Sequence, residues 1–174
     1  MSDFLEKTLE DIIYENQDTI HERGFPALHN NTYRQFPLPS GRFIDLLSFT
    51  IEKNVIYISL FELKKENLNI DSLLQLLSYG SEVRVLCSPH FSRVEMDMVL
   101  IGSDYDEKIG ALLAEMLPVE IYLYKYLING IFFKRMQSTY ELMDHEEIKK
   151  LYFTASSKST SFYEKILKRN RSNQ

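Results

Sequence analysis

Among its 174 residues the chain has no tryptophan, one cysteine, five prolines and six glycines. The lone thiol, Cys87, excludes an internal disulfide and has no companion with which to build a thiolate zinc site. Core filling is the role expected of it. No apolar run reaches the roughly 18 residues of a membrane-spanning helix. The first residues, Met1 to Lys7, open an acid-bearing helical pattern where a secretion signal needs a basic and then an apolar segment. A cytoplasmic chain that makes no use of a membrane is expected. Positive charge is also scarce: 20 Lys and Arg against 25 Asp and Glu leave a net charge of −5. That balance excludes gripping nucleic acid by bulk electrostatics, so any such contact has to be local. Basic residues collect late, at Lys134-Arg135, Lys149-Lys150 and from Lys165 to Arg171, as a solvated tail would.

What the chain does have is an ordinary globular balance, 44% hydrophobic and 26% charged, at a length that buries one sizeable core. Leu5, Leu9, Ile12 and Ile13 predict a helix from about Asp3 to Asp18, with Glu10 at the border of its buried face. Tyr33 to Phe36 has the alternation of a short strand. Arg42 to Ile51 and Val55 to Leu63 read as a hairpin around Glu52-Lys53-Asn54. Asn69 or Asp71 caps a helix carrying Leu73, Leu74, Leu76 and Leu77, with Gly80 expected to weaken or bend it. Then come a strand from Met96 to Ile101, a helix from Asp104 to Leu117, and a strand from Val119 to Leu127. Asn129-Gly130 turns that strand into Ile131-Phe132-Phe133. A further helix is expected from Glu141 to Tyr152. The order is helix, β-hairpin, helix, strand, helix, hairpin, which makes an α/β fold with a mixed sheet flanked by helices. Residues 1–136 form the expected domain, and 137–174 a C-terminal helix and basic tail.

The chemistry concentrates on the first hairpin. Asp45 lies inside Phe43-Ile44-Asp45-Leu46-Leu47, and Glu62 and Lys64 lie in Phe61-Glu62-Leu63-Lys64. Charges in such apolar runs are costly to bury, so those that persist have a partner or an ion. A turn centred on Lys53 sets Asp45 and Glu62 nearly opposite one another on a shared face, where two carboxylates repel unless a cation lies between them. The period of two sends Glu62 and Lys64 to one side and Leu63 to the other.

Four segments in order, Leu9-Glu10, Gly41-Arg42-Phe43-Ile44-Asp45-Leu46-Leu47, Phe61-Glu62-Leu63-Lys64-Lys65 and Gln75-Leu76-Leu77-Ser78-Tyr79, carry a family resemblance. Together they resemble the PD-(D/E)XK, or restriction-endonuclease-like, nuclease superfamily, in the style of the NucS and RecB-type nuclease domains, over roughly Leu5 to Met136. The resemblance implies a restriction-endonuclease-like sheet core and an Mg²⁺- or Mn²⁺-dependent deoxyribonuclease acting in DNA repair or on mobile-element DNA. It makes Asp45, Glu62 and the Leu63 backbone carbonyl the metal ligands, an oxygen set suited to such ions. Lys64 would orient or activate the attacking water. Glu10 would hold a metal-bound water, and Gln75 would steady Lys64 or the substrate phosphate. The partner is then DNA, with a homodimer or a second protein supplying target choice. No proline precedes Ile44-Asp45, so the match rests on Asp45 with Glu62-x-Lys64.

Other polar residues weigh less. His21, His29, His90 and His145 are scattered without ligand spacing and read as surface or loop residues. Ser59 and Thr50 lack an evident base. Tyr122, Tyr124 and Tyr126 alternate and are expected to expose an aromatic row. A different class of function, a nuclease-derived binding or assembly module that cuts nothing, is favoured by the acidic charge.

Overall fold

The structure, a computed structural model, describes residues 2–106 and 119–136, with side chains from residue 8 onward. In chain order the elements are α1 (Ser2–Glu15), a 3₁₀ turn (Ile20–Arg23), β1 (Asn31–Pro37), β2 (Phe43–Glu52), β3 (Val55–Leu63) and β4 (Asn67–Leu68). They continue with α2 (Ile70–Cys87), β5 (Arg93–Gly102), β6 (Asp104–Tyr105), β7 (Val119–Leu127) and β8 (Gly130–Arg135). Six strands form one mixed sheet in the order β1-β2-β3-β5-β7-β8. The pairs β1/β2, β2/β3 and β7/β8 are antiparallel, while β3/β5 and β5/β7 are parallel. The short β4 and β6 pair separately. The expected mixed α/β architecture with flanking helices is what the chain adopts.

Strand alternation divides the interior into two cores. Leu60 and Leu100 point to the α2 side, packing with Leu73, Leu76 and Met98. Their neighbours Phe61 and Ile101 point to the α1 side, with Leu9, Ile13 and Val99. Because both faces are covered, β3 is buried without interruption from Ile58 to Leu63. Rings anchor the α1 side: Phe25 stacks on Phe61 at 5.3 Å and meets Phe133 edge-on at 4.9 Å.

Several expectations are adjusted. The β2–β3 turn has only two central residues, Lys53 and Asn54, with φ of 48° and 67°. The mirror-image turn of a tight hairpin requires those angles. Leu46 therefore faces Phe61, and Glu52 faces Val55. Gly80 does not interrupt α2, which runs on to Cys87. A Cβ at Gly80 would lie 2.6 Å from the Met98 sulfur, so the missing side chain lets the helix approach β5. The helix expected from Asp104 begins instead as the β6 pair at Asp104–Tyr105, and its portion from residue 107 lies outside the described residues. So do the helix expected at Glu141 to Tyr152 and the basic tail. No helix among the described residues is long and apolar enough to cross a membrane.

Candidate active site

The polar residues converge where β2 begins and β3 ends, beside the middle of α2. At this end the sheet changes from antiparallel to parallel pairing, and crevices at the carboxyl ends of parallel strands are common ligand sites.

Asp45 sits at a break in the pleat. Ile44 and Leu47 belong to the same core although they are three residues apart, so the in-out alternation slips by one residue around Asp45. Opposite, on β1, Gln35 holds φ of 47°, a left-handed conformation that non-glycine residues seldom adopt. The β2–β3 pairing runs as far as Leu46 and Phe61, and beyond it the Asp45 carboxylate enters the ladder itself. Asp45 Oδ2 accepts the Leu63 N–H at 2.7 Å. The Asp45 carboxyl is pushed up to about 6, above all by burial; the Leu63 N–H and the Lys64 charge oppose the shift, and Glu10 adds to it.

Glu10, on α1, is 5% exposed and so points inward as its sequence position predicts. Its Oε1 accepts from Arg34 Nε at 2.8 Å and its Oε2 from Gln35 Nε2 at 2.6 Å. Arg34 also reaches Asp11 at 2.6 Å. Gln35 Nε2 lies 3.3 Å from Asp45 Oδ1, so a single amide bridges the two carboxylates. Nothing in the sequence pattern singled out Gln35 or Arg34, because their partnership depends on β1 crossing between α1 and β2.

On the α2 side, Glu62 is 1% exposed, and its Oε1 lies 2.6 Å from Lys64 Nζ. Lys64 Nζ also donates to Gln75 Oε1 at 3.3 Å, and Gln75 Nε2 donates to the Tyr79 hydroxyl at 2.6 Å. Burial raises the Tyr79 phenol, and the charges of both Glu62 and Asp45 add to the rise. Both carboxylates are thus felt at one phenol. A polar cleft of about 450 Å³, lined by Lys64, Lys65, Asn67, Ser72 and Gln75 among others, opens beside Lys64.

The structure therefore gathers Glu10, Asp45, Glu62, Leu63, Lys64 and Gln75 into one hydrogen-bonded and charge-coupled assembly. Leu63 contributes its N–H to Asp45, while its side chain is core. Among the described residues, no group of three or more His, Cys, Asp or Glu side chains is placed to hold a metal ion. A hard cation that keeps its waters needs only one or two protein carboxylates, and the donors here are all oxygen. A carboxyl held at about 6 by burial also marks a negative charge that its surroundings compensate only in part.

Outside the site, two expectations change. Ser59 Oγ lies 3.2 Å from His29 Nε2, so Ser59 has a nearby imidazole after all, and His29 is tied to the sheet. Ser59 is 6% exposed, too buried to serve as a nucleophile for an incoming substrate. Of the tyrosine row, Tyr122 and Tyr124 are buried and only Tyr126 is exposed, because the α1-side core covers the other two. Cys87 is half-buried, and burial pushes its thiol up, as fits a packing residue. Compared with known proteins, the chain matches no family model, no curated protein and no solved structure.

Proposed function

We propose that the chain is a metal-dependent nuclease of the restriction-endonuclease-like kind, hydrolysing DNA phosphodiester bonds with Mg²⁺ or Mn²⁺. The observation that carries this reading is the convergence of Asp45, Glu62 and Lys64 where β2 begins and β3 ends, with Glu10 and Gln75 linked to them through single hydrogen bonds or one bridging amide. Asp45 and Glu62 are the residues that would hold the ion, the Leu63 carbonyl being the third ligand that the family resemblance implies. A bound divalent ion supplies Lewis acidity for the phosphate and a lower pKa for water.

The chain's own groups supply the rest. The Leu63 N–H fixes one Asp45 oxygen and so sets the direction of the carboxylate. Glu62 and Gln75 hold the Lys64 ammonium from two sides, which places a positive charge where the attacking water and the scissile phosphate would meet. Glu10, oriented by Arg34 and Gln35, offers a carboxylate from the opposite face. With a net charge of −5, DNA binding depends on local contacts or on a partner that brings the substrate.

The test is cleavage of supercoiled plasmid and of duplex and single-stranded oligonucleotides by the purified chain, with Mg²⁺, with Mn²⁺ and with EDTA. Metal-dependent cleavage abolished in an Asp45→Ala/Lys64→Ala double variant is the expected result. Equal nicking by wild type and double variant discards the reading. The net charge of −5, which weakens unassisted DNA binding, favours a second reading, a nuclease-fold binding module that does not cut. A melting temperature indifferent to Mg²⁺, together with DNA binding but no cleavage, supports that alternative.

A further inference from the structure

The helix α2 carries a polar stripe that the catalytic reading uses only at its first member. Gln75, Ser78, Tyr79 and Glu82 follow the i, i+3, i+4, i+7 spacing and so share one face. Glu82 is 1% exposed. Its Oε1 accepts the Ser40 N–H at 2.7 Å, and its Oε2 stands 3.6 Å from the Arg42 guanidinium as an ion pair. Arg42 spreads over the same stripe: it donates to Ser78 Oγ at 2.8 Å and to Ser40 Oγ at 3.2 Å, and its Cζ lies 4.9 Å from the Tyr79 ring centre. Tyr79 in turn accepts from Gln75, which accepts from Lys64.

We propose that Glu82 and Arg42 are positioning residues: a clamp that locks the turn leading into β2 onto α2 and, through Tyr79 and Gln75, fixes the Lys64 ammonium. This rests on the nuclease reading of Lys64. Two features support it. Arg42 lies only three residues before Asp45, so one guanidinium ties the strand bearing a metal-ligand candidate to the helix bearing the lysine's partner. A buried ion pair is also seldom more stabilising than apolar residues of the same size, so a carboxylate at 1% exposure in an otherwise leucine-rich helix points to placement of other groups as its use.

The experiment is a double-mutant cycle on the full chain, with Mg²⁺ and a defined duplex oligonucleotide as substrate, comparing Glu82→Gln, Tyr79→Phe and the pair. Tyr79→Phe keeps the ring under Arg42 and removes only the hydroxyl that Gln75 uses. Each single change should lower kcat on the order of tenfold with KM within about twofold, and the pair should fall no further than the worse single, since both cut one path. Losses that multiply, or that track melting temperature alone, overturn the clamp. In parallel, the Gln75 side-chain amide signals in ¹H–¹⁵N spectra should move in Glu82→Gln; if they stay in place the clamp is wrong, whether or not the wild type cuts DNA. Failure of wild-type cleavage with a moved Gln75 signal removes the nuclease reading and leaves the linkage standing. Should Glu82→Gln not fold, Arg42→Lys, which keeps the charge but loses the fork to Ser78 and Ser40, takes its place with the same expectations.

Discussion

Asp45→Asn should make the metal-free protein more stable near neutral pH while destroying its activity. The folded chain keeps the Asp45 proton up to about pH 6, whereas an unfolded chain releases it near the ordinary value of 3.8. Between those values the folded state binds more protons than the unfolded state, so stability is highest below 3.8 and is lost as pH rises to about 6. The full rise corresponds to about 3 kcal/mol. Because the side chain retains some exposure, water and local relaxation reduce the realised cost to about 1.5 kcal/mol. An asparagine still accepts the Leu63 N–H through its amide oxygen, and only the long 3.3 Å contact from Gln35 Nε2 is lost, since Gln35 stays oriented by its 2.6 Å bond to Glu10. For a chain of this length the gain amounts to a rise in Tm of about 3–6 °C at pH 7.5. Near pH 4.5 the advantage should shrink to roughly half, because wild-type Asp45 is then in large part protonated in the fold. Urea unfolding with EDTA at both pH values measures it. Adding Mg²⁺ at pH 7.5 should raise the wild-type midpoint and leave that of Asp45→Asn nearly unchanged. An Asn variant no more stable than wild type at pH 7.5, or one equally stabilised at both pH values, refutes the reasoning.

Three further perturbations bear on the scaffold. Gly24→Ala should cost about 2–4 kcal/mol in urea unfolding, since φ is 86° there and a Cβ would lie 2.2 Å from the Phe133 carbonyl oxygen, a backbone atom that cannot step aside. Asn69→Ala removes the side-chain cap on the Ser72 N–H and should lower stability by about 1 kcal/mol, read as a drop in Tm of about 2–4 °C. Phe61→Ala empties a fully buried position beside Phe25 and should cost about 3–5 kcal/mol in chemical denaturation; a loss under 1 kcal/mol would mean that the α1-side core is not packed as described.

Much of the frame was legible in the chain. Val55 to Leu63 and Val119 to Leu127 have the strand bounds that alternation and turn residues predict. The cap at Asn69 also stands where its chemistry placed it, whereas the second hairpin turns at Ile128-Asn129, one residue earlier than expected, with Gly130 already paired to Leu127. These features are local: a turn angle, a cap and a two-residue period are set within a few residues. The inward direction of Glu10 was legible for the same reason, because its place on the helix border follows from Leu9 and Ile13.

Other outcomes required the assembled molecule. Gly80 resembles a helix breaker in one dimension and is a contact point in three, because only the approach of β5 shows what its missing side chain makes room for. Gln35 and Glu82 carry no motif, yet they hold Asp45, Glu10 and the turn before β2 in place through partners between 10 and 42 residues away. The acids and the lysine could be named from one dimension, since a charge within an apolar run declares its own cost. Whether those charges meet, and which neutral amides stand between them, is set by strand crossing, pleat slip and the packing of α2. Those are properties of long-range contacts, and no short stretch of residues encodes them.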